Sequence, residues 1–296
     1  MRTYAFVTVD VFTTRRFGGN PLAVFPDARG MSDAEMQSLA AEFNLSETTF
    51  VLPPEDPANT ARVRIFTRTR EMPFAGHPNV GTAYVLAQQG RDTGGKLRFE
   101  ELAGLVEIDV ERDPSGTVLG ATIAAPQPLT LGVEMPVAEV AACAGLQERD
   151  VLTTAHKPVA ASLGNPFVLA EVSREALDRA LPEVTPFRAA MKREPKLEGR
   201  FALYLYAHDG PGKVQARMFA PLGGTFEDAA TGSAAGPLGA LLLSLTPDRK
   251  LAVDIHQGVT MGRPSLLRVV ARRGDDGIRA TIAGQCVPVL RGEAQL

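Results

Sequence analysis

Only two cysteines, Cys143 and Cys286, occur in 296 residues, and nothing in their spacing matches a metal motif. Reduced thiols and a cytoplasmic location are therefore expected. Histidine is scarce as well, four in all, and no two are spaced as zinc ligands, so no metal site is expected. There is no block of basic residues and the net charge is −3, which argues against nucleic acid as the main partner. No apolar run reaches transmembrane length and the N-terminus lacks a signal-peptide pattern, so no membrane partner is expected. Gly18-Gly19 and Gly223-Gly224 lack the spacing and the strand–turn–helix setting of a nucleotide fingerprint, so no organic cofactor is expected either. Tryptophan is absent too, and that decides nothing.

What is present points to a folded enzyme-sized chain. Hydrophobic residues make up 45% and charged residues 22%, a balance that allows a packed core and argues against disorder. The length suggests about two domains.

One stretch organises the rest, Thr225–Leu245 (TFEDAATGSAAGPLGALLLSL). The acidic pair Glu227-Asp228 leads into Thr231-Gly232-Ser233 and then into a run of small and aliphatic residues. Ser233 reads as the N-cap of a helix, with Pro237 in its first turn, where a missing N–H costs little. The mouth of such a helix, with a carboxylate, a hydroxyl and free backbone N–H groups, attracts an anion. On its own, however, the stretch reads equally well as an ordinary capped helix.

Taken in order, Tyr4–Phe12 and Leu22–Phe25 read as strands, and Ser32-Asp33-Ala34-Glu35 opens a helix through Phe43 with a capping box. Asn44–Val51 leaves that helix and becomes a strand, Arg62–Thr67 reads as a strand and Arg70–Gly76 as a loop. A helix follows from His77 to about Gln89 and Gly90 ends it. Lys96–Glu101, Gly104–Arg112 and Val118–Ala124 form antiparallel strands with a turn at Asp113–Gly116. The proline-rich Pro126–Pro136 marks a boundary, so the domains are 1–125 and 126–296, with the last strand expected to cross back to the first. Beyond it, Val137–Gly145 and Ser173–Leu181 read as helices. Phe167–Val172, Phe201–His208 and Val214–Ala220 read as strands, followed by Ala252–His256, Leu266–Ala271, Ile278–Ala283 and Cys286–Leu290.

The two halves repeat. Gly19-Asn20-Pro21 matches Gly164-Asn165-Pro166, Arg64-Ile65-Phe66 matches Arg217-Met218-Phe219, and Gly76 is matched with Ser233, always in the same order. Both matched helices are apolar all round, which requires burial. A single buried helix among many strands implies a curved sheet wrapped around it. Two such units face to face would oppose two helix mouths across a cleft, a usual place for a small-molecule site.

Five segments, FGGNPLAVF (17–25), NLSETTFV (44–51), MPFAGHPNVGTA (72–83), FEDAATGSAAG (226–236) and QGVTMGRPS (257–265), resemble the PhzF-like isomerases, a family named for phenazine biosynthesis within the diaminopimelate-epimerase fold group. They keep the family order across nearly the whole chain. Two departures are visible: Arg68 and Ala229 stand where the family usually has proline. The resemblance implies an α+β fold of two pseudo-symmetric domains, each a barrel-like antiparallel sheet around a central helix, with the active site between them. It also implies a small carboxylic acid as substrate, no cofactor, and room for a homodimer.

Glu47, on position alone, reads best as a solvated carboxylate. The resemblance makes it the general acid/base, a role that partial burial favours by raising its proton affinity. His77 is otherwise a helix-end residue, and the resemblance gives it a substrate contact and a part in proton transfer. Asp228 is otherwise a first-turn acid; the resemblance sets it against a substrate amine or in the proton shuttle, with Glu227 beside it structural. Gly76 and Ser233 occupy the positions at which racemases and epimerases of this fold group carry two cysteines, so they are ligand sites here. Gly232, Thr231, Ser46 and Asn20 complete the expected substrate-binding set, although Gly19-Asn20-Pro21 alone reads as a tight turn. His156, His208 and His256 lie in settings with no evident partners. An amino-acid racemase of the same fold and a non-catalytic binding relative are the competing readings.

Overall fold

The computed structural model describes residues 1–194 and 201–296. Contacts gather them into two compact units, residues 1–124 with 282–296, and residues 125–281. The first holds β1 (Thr3–Val11), β2 (Asn20–Phe25), α1 (Asp33–Phe43), β3 (Thr48–Leu52), β4 (Ala61–Phe66), β5 (Glu71–Met72), α2 (Gly76–Gln88), β6 (Lys96–Glu101), β7 (Gly104–Arg112) and β8 (Val118–Ala124). The second begins with β9 (Thr130–Glu134), α3 (Val137–Cys143), β10 (Val151–Leu152), β11 (Val159–Ser162), β12 (Pro166–Val172), α4 (Arg174–Arg179) and α5 (Val184–Arg193). It continues with β13 (Leu203–His208), β14 (Lys213–Ala220), β15 (Thr225–Asp228), α6 (Gly232–Ser244), β16 (Lys250–Gln257) and β17 (Ser265–Gly274). The last strand, β18 (Gly277–Gln295), starts in the second unit and ends in the first.

In the first unit eight strands close into a barrel, in the order β1–β2–β3–β4–β6–β7–β8–β18 and back to β1. Helix α2 packs against β1, β2, β3, β7 and β8, and its residues from Gly76 through Ala87 are buried. The cause is in its sequence, GHPNVGTAYVLAQ, which carries no charge and has no face suited to water. A Cβ at Gly81 would lie 2.6 Å from the Leu22 side chain and 2.8 Å from Val11, so only glycine lets the helix come this close to the wall. Outside this core, α1 starts on the complete Ser32–Glu35 capping box and covers Phe25, Phe50 and Phe66. The rings of Phe25 and Phe50 stack at 5.0 Å. Each buried aromatic side chain contributes roughly 1.5–3 kcal/mol.

The second unit runs the same programme. Pairing in the first is antiparallel for β1–β2, parallel for β2–β3, antiparallel for β3–β4, parallel for β4–β6 and antiparallel for β6–β7. In the second it is antiparallel for β11–β12, parallel for β12–β13, antiparallel for β13–β14, parallel for β14–β16 and antiparallel for β16–β17. The sheets are thus mainly antiparallel with two parallel pairs each, and helices make the crossovers that parallel neighbours require. Helix α6 packs against β11, β12, β16 and β17, and a Cβ at Gly239 would meet Val269 at 2.5 Å.

Matched arginines anchor both units. Arg64 forms two parallel hydrogen bonds to Glu71, both 2.7 Å, and Arg217 two to Glu227, both 2.8 Å. Each guanidinium also lies over the phenylalanine two residues on, at 5.1 Å for Phe66 and 4.9 Å for Phe219.

Several sequence expectations need correction. The segment 70–76 is not all loop: Glu71-Met72 forms β5, because the arginine–glutamate pair draws it onto β4. The proline-rich boundary contains β9, which pairs with β11. Ile278–Ala283 and Cys286–Leu290 are parts of one strand, and Gly284 between them gives room to the Phe12 ring rather than making a turn. Helix α5 and strand β10 were not foreseen; Pro186 in the first turn of α5 disguises it. Helix α6 begins at Gly232, with Thr231 as its N-cap, so Ser233 lies in the first turn and Pro237 one turn further in.

Candidate active site

The topology brings the first group of predicted residues together. Strands β4 and β6 are parallel and α2 connects them, so the mouth of α2 lies at their C-terminal ends. Strand β3 is antiparallel to β4, which puts its N-terminal end there as well. Glu47 immediately precedes β3, and Gly76 and His77 open α2. Glu47 Oε2 stands 3.6 Å from His77 Nε2, too far for a hydrogen bond, with the two side chains 19% and 6% exposed. Burial pushes the His77 imidazole down to about 3, so it is neutral and the contact is not an ion pair. Ser46 donates to Asn20 Oδ1 at 3.3 Å, and Asn20 is itself buried.

This end of the unit has unspent hydrogen-bonding capacity. Among the described residues, the buried side-chain atoms without a hydrogen-bond partner are Thr48 Oγ1, His77 Nε2, Asn79 Oδ1 and both carboxyl oxygens of Glu101. All four residues lie on β3, α2 or the end of β6. Buried polar groups are normally satisfied, so such a cluster calls for an explanation, and groups kept ready for a ligand are one.

The second group lies in the other unit, and there Asp228, Thr231, Gln257 and Tyr204 bond to one another. Thr231 Oγ1 donates to Asp228 Oδ2 at 2.6 Å. Gln257 donates from Nε2 to Asp228 O at 2.8 Å and to Thr231 Oγ1 at 3.0 Å. Its Oε1 accepts from Thr231 N at 3.1 Å and from the Tyr204 hydroxyl at 3.0 Å. Gln257 and Tyr204 are fully buried. The carboxylate of Asp228 is thereby oriented at the start of α6, where Gly232 and Ser233 present first-turn N–H groups. Glu227, by contrast, is bound to Arg217 and serves the fold.

Three readings of the sequence change here. Ser233 is not the cap, and Thr231, which is, spends its hydroxyl on Asp228 instead of on the helix. The helices begin 156 residues apart, at 76 and 232, so Gly76 corresponds to Gly232 and His77 to Ser233. His156 has a partner after all, since Nε2 lies 2.7 Å from the buried Tyr206 hydroxyl, against which the ring stacks. Gln257, Tyr204, Thr48, Asn79 and Glu101 were missed. Gln257, Thr48 and Asn79 had a visible signal, since they lie in the matched segments 257–265, 44–51 and 72–83.

Neither thiol stands at a helix mouth. Cys143 is on α3 and Cys286 on β18, both buried. Burial raises both, Cys143 to about 12, so neither is a thiolate at neutral pH. Among the described residues no group of His, Cys, Asp and Glu side chains is arranged to hold a metal ion, and no helix is long and apolar enough to cross a membrane.

A barrel around a buried helix, repeated as a second unit, with acid/base groups at one helix mouth and a held carboxylate at the other, defines an α+β protein of the epimerase-like class. The family model for phenazine biosynthesis-like proteins (PhzC-PhzF) matches residues 9–292, and the chain belongs to that family. It is 38% identical to an uncharacterized isomerase of Mesorhizobium japonicum, over 99% of each chain. It is 35% identical to the trans-2,3-dihydro-3-hydroxyanthranilate isomerase of Pseudomonas aeruginosa, covering 99% of this chain and 100% of that one. Among solved structures, the phenazine biosynthesis protein of Bacillus anthracis superposes with a TM-score of 0.88 at 25% identity, over the full length of both.

Proposed function

We propose that the protein is a cofactor-independent isomerase that moves a proton within a small conjugated carboxylic acid, of the kind acted on by the dihydro-hydroxyanthranilate isomerases to which it is similar. The observation that carries this reading is the placement of Glu47, a largely buried carboxylate 3.6 Å from an imidazole that burial keeps neutral. Glu47 takes a proton from an activated carbon, and the electron pair left behind moves along the conjugated system. The same carboxyl then returns the proton at another carbon, so atoms and charge balance over the cycle. His77, neutral and with Nε2 unbonded, contacts the substrate without competing for the proton. We further propose that Asp228 is a contact for a substrate amine and that the N–H groups of Gly76, Gly232 and Ser233 attract a carboxylate.

The test is a screen of conjugated amino and hydroxy carboxylic acids in D2O. Enzyme-dependent deuterium incorporation into one of them, with a shifted double bond in the product, is the expected result. An absence of exchange across the class, at enzyme concentrations equal to substrate, overturns the reading.

A further inference from the structure

Asp10 is a buried acid that the proposed chemistry does not use. It lies in β1 between Val9 and Val11, which face α2: a Cβ on Gly81 would lie 2.8 Å from the Val11 side chain and 3.2 Å from that of Val9. Alternation along the strand therefore turns Asp10 to the outside of the barrel. It is nevertheless only 3% exposed, because the loop between β1 and β2, residues 12–19, folds back over it. Asp10 Oδ2 accepts the Phe17 N–H at 2.6 Å. Thr13 N donates to Gln285 O, and Arg16 Nε to Pro288 O, so the start of the loop is tied to β18.

The loop has an unusual backbone. Phe12 and Phe17 have φ of 66° and 69°, in the left-handed region where a bulky side chain is an outlier. Such strain persists only where the surroundings hold it. The Phe12 ring is fully buried against Gly284, so packing holds it. The Phe17 ring is 70% exposed, and the bond to Asp10 ties its backbone to the barrel wall instead. The end of the loop enters the candidate site. Gly19 is also left-handed, and a Cβ there would lie 2.3 Å from Val11 O. Asn20 opens β2 opposite Val11 and is buried, and its Oδ1 accepts from Ser46, the residue before Glu47. Strands β2 and β3 are parallel, so these residues lie at the end of the barrel from which α2 starts.

We propose that Asp10 is a positioning residue: it holds the left-handed backbone at Phe17, which sets Asn20, and through the Asn20–Ser46 bond it sets the segment from which Glu47 projects. The meaning for turnover rests on the reading of Glu47 as the proton carrier, but the structural tests use the free protein. The idea is specific to one pair of residues. Glycine adopts a left-handed φ without steric cost, so glycine at 17 keeps the turn without the clamp. Asparagine at 10 keeps an acceptor oxygen of the same reach, and alanine has none.

In NMR of the free protein, Asp10→Ala should shift the Asn20 side-chain amide and the Glu47 carboxyl signals, and Asp10→Asn should leave them in place. Adding Phe17→Gly to Asp10→Ala should return both signals to their wild-type positions. A buried acid with only a general structural role would not be rescued by a glycine elsewhere, so failure of the rescue overturns the proposal. Signals that Asp10→Ala does not move also overturn it. With a substrate from the D2O screen, exchange should fall by about 10- to 100-fold in Asp10→Ala and recover in the double variant. Signals that move and recover while exchange stays constant support the positioning and count against Glu47 as the base. If Asp10→Ala does not fold, the wild type decides. Its Phe17 N–H, bonded to a buried carboxyl, should exchange with solvent about 100-fold or more slowly than an unstructured peptide N–H. Exchange at the unstructured rate overturns the proposal.

Discussion

The two units share a backbone plan and differ in the side chains they carry at matched places. Register makes Glu47 the counterpart of Ala202, since Thr48 and Leu203 pair with Phe66 and Phe219. It makes Met72 the counterpart of Asp228, since these pair with Ile65 and Met218. His77 stands where the second unit has Ser233. At matched places, then, one unit has Glu47 and His77 and the other has a carboxylate held by the Thr231 hydroxyl, with Gln257 bonded to the Asp228 backbone carbonyl. The half with unspent hydrogen-bonding capacity is the one suited to change protonation state. The half in which Thr231, Gln257 and Tyr204 are bonded to one another is suited to hold something still. Under the proposed function, the shared backbone plan is the scaffold, and substitution at a few equivalent positions separates movement from grip.

The largest expected effect tests the moving half. Glu47→Gln retains size and hydrogen bonding and cannot carry a proton, so exchange with solvent deuterium should fall by roughly 100-fold to 10,000-fold. Calorimetric binding of an unreactive analogue should change little. Wild-type exchange in this variant would remove Glu47 as the base and erase the distinction between the halves.

A second test asks whether the matched anchors are equal. Among the described residues, Arg217 is bound to one carboxylate, Glu227, and is 7% exposed, whereas Arg64 has Glu71 and also Asp33 at 2.5 Å. Removing one partner of a buried pair costs about 3–5 kcal/mol because a charge is left uncompensated. Glu227→Gln should therefore destabilise by about 3 kcal/mol and Glu71→Gln by less, since Asp33, although exposed, remains to face the guanidinium. Equal losses in denaturant unfolding would show that Asp33 contributes nothing.

Much of this was legible in sequence because it is written in local pattern. The capping box at Ser32, the strands 96–101, 104–112 and 118–124, and two uncharged helices follow from periodicity and turn chemistry. The site residues Glu47, His77 and Asp228 were carried by the family resemblance, since position alone favoured a solvated Glu47. What escaped depends on register between distant strands. Nothing near Glu101 announces a buried acid, because its burial is caused by the fold, and Gln257 gains its role from Tyr204, 53 residues earlier. The one-residue offset in matching Gly76 to Ser233 has a local origin: serine is a favoured N-cap and was read as the helix start, whereas the helix begins at Gly232 with Thr231 as its cap.

A third test concerns grip. Asp228→Asn keeps the shape of the side chain and removes the charge proposed to meet a substrate amine. About tenfold weaker analogue binding, together with a similar loss in rate, is expected from one charge-assisted hydrogen bond. Unchanged binding with reduced exchange would place Asp228 in the proton path instead, and the division between the halves would not hold.

The smallest effect should come from the thiols, and it decides between proton-moving chemistries. A two-base racemase needs two groups able to hold a proton on opposite faces of one carbon, and at the matched helix starts this chain has Gly76-His77 and Gly232-Ser233. Its cysteines lie elsewhere. Cys286 Sγ points at Val80 O from β18, and Cys143 packs in the core with Val140 and Phe187. Burial holds both as neutral thiols, which pack as small hydrophobes and have no share in acid/base work. Replacing both with alanine removes one sulfur from each site and adds no buried polar atom, so the cost should be about 1 kcal/mol per site. Exchange activity should stay within a few-fold of the wild type. Loss of exchange in a variant whose unfolding is still cooperative would return a thiol to the mechanism, and with it the symmetric chemistry that the two unlike helix mouths argue against.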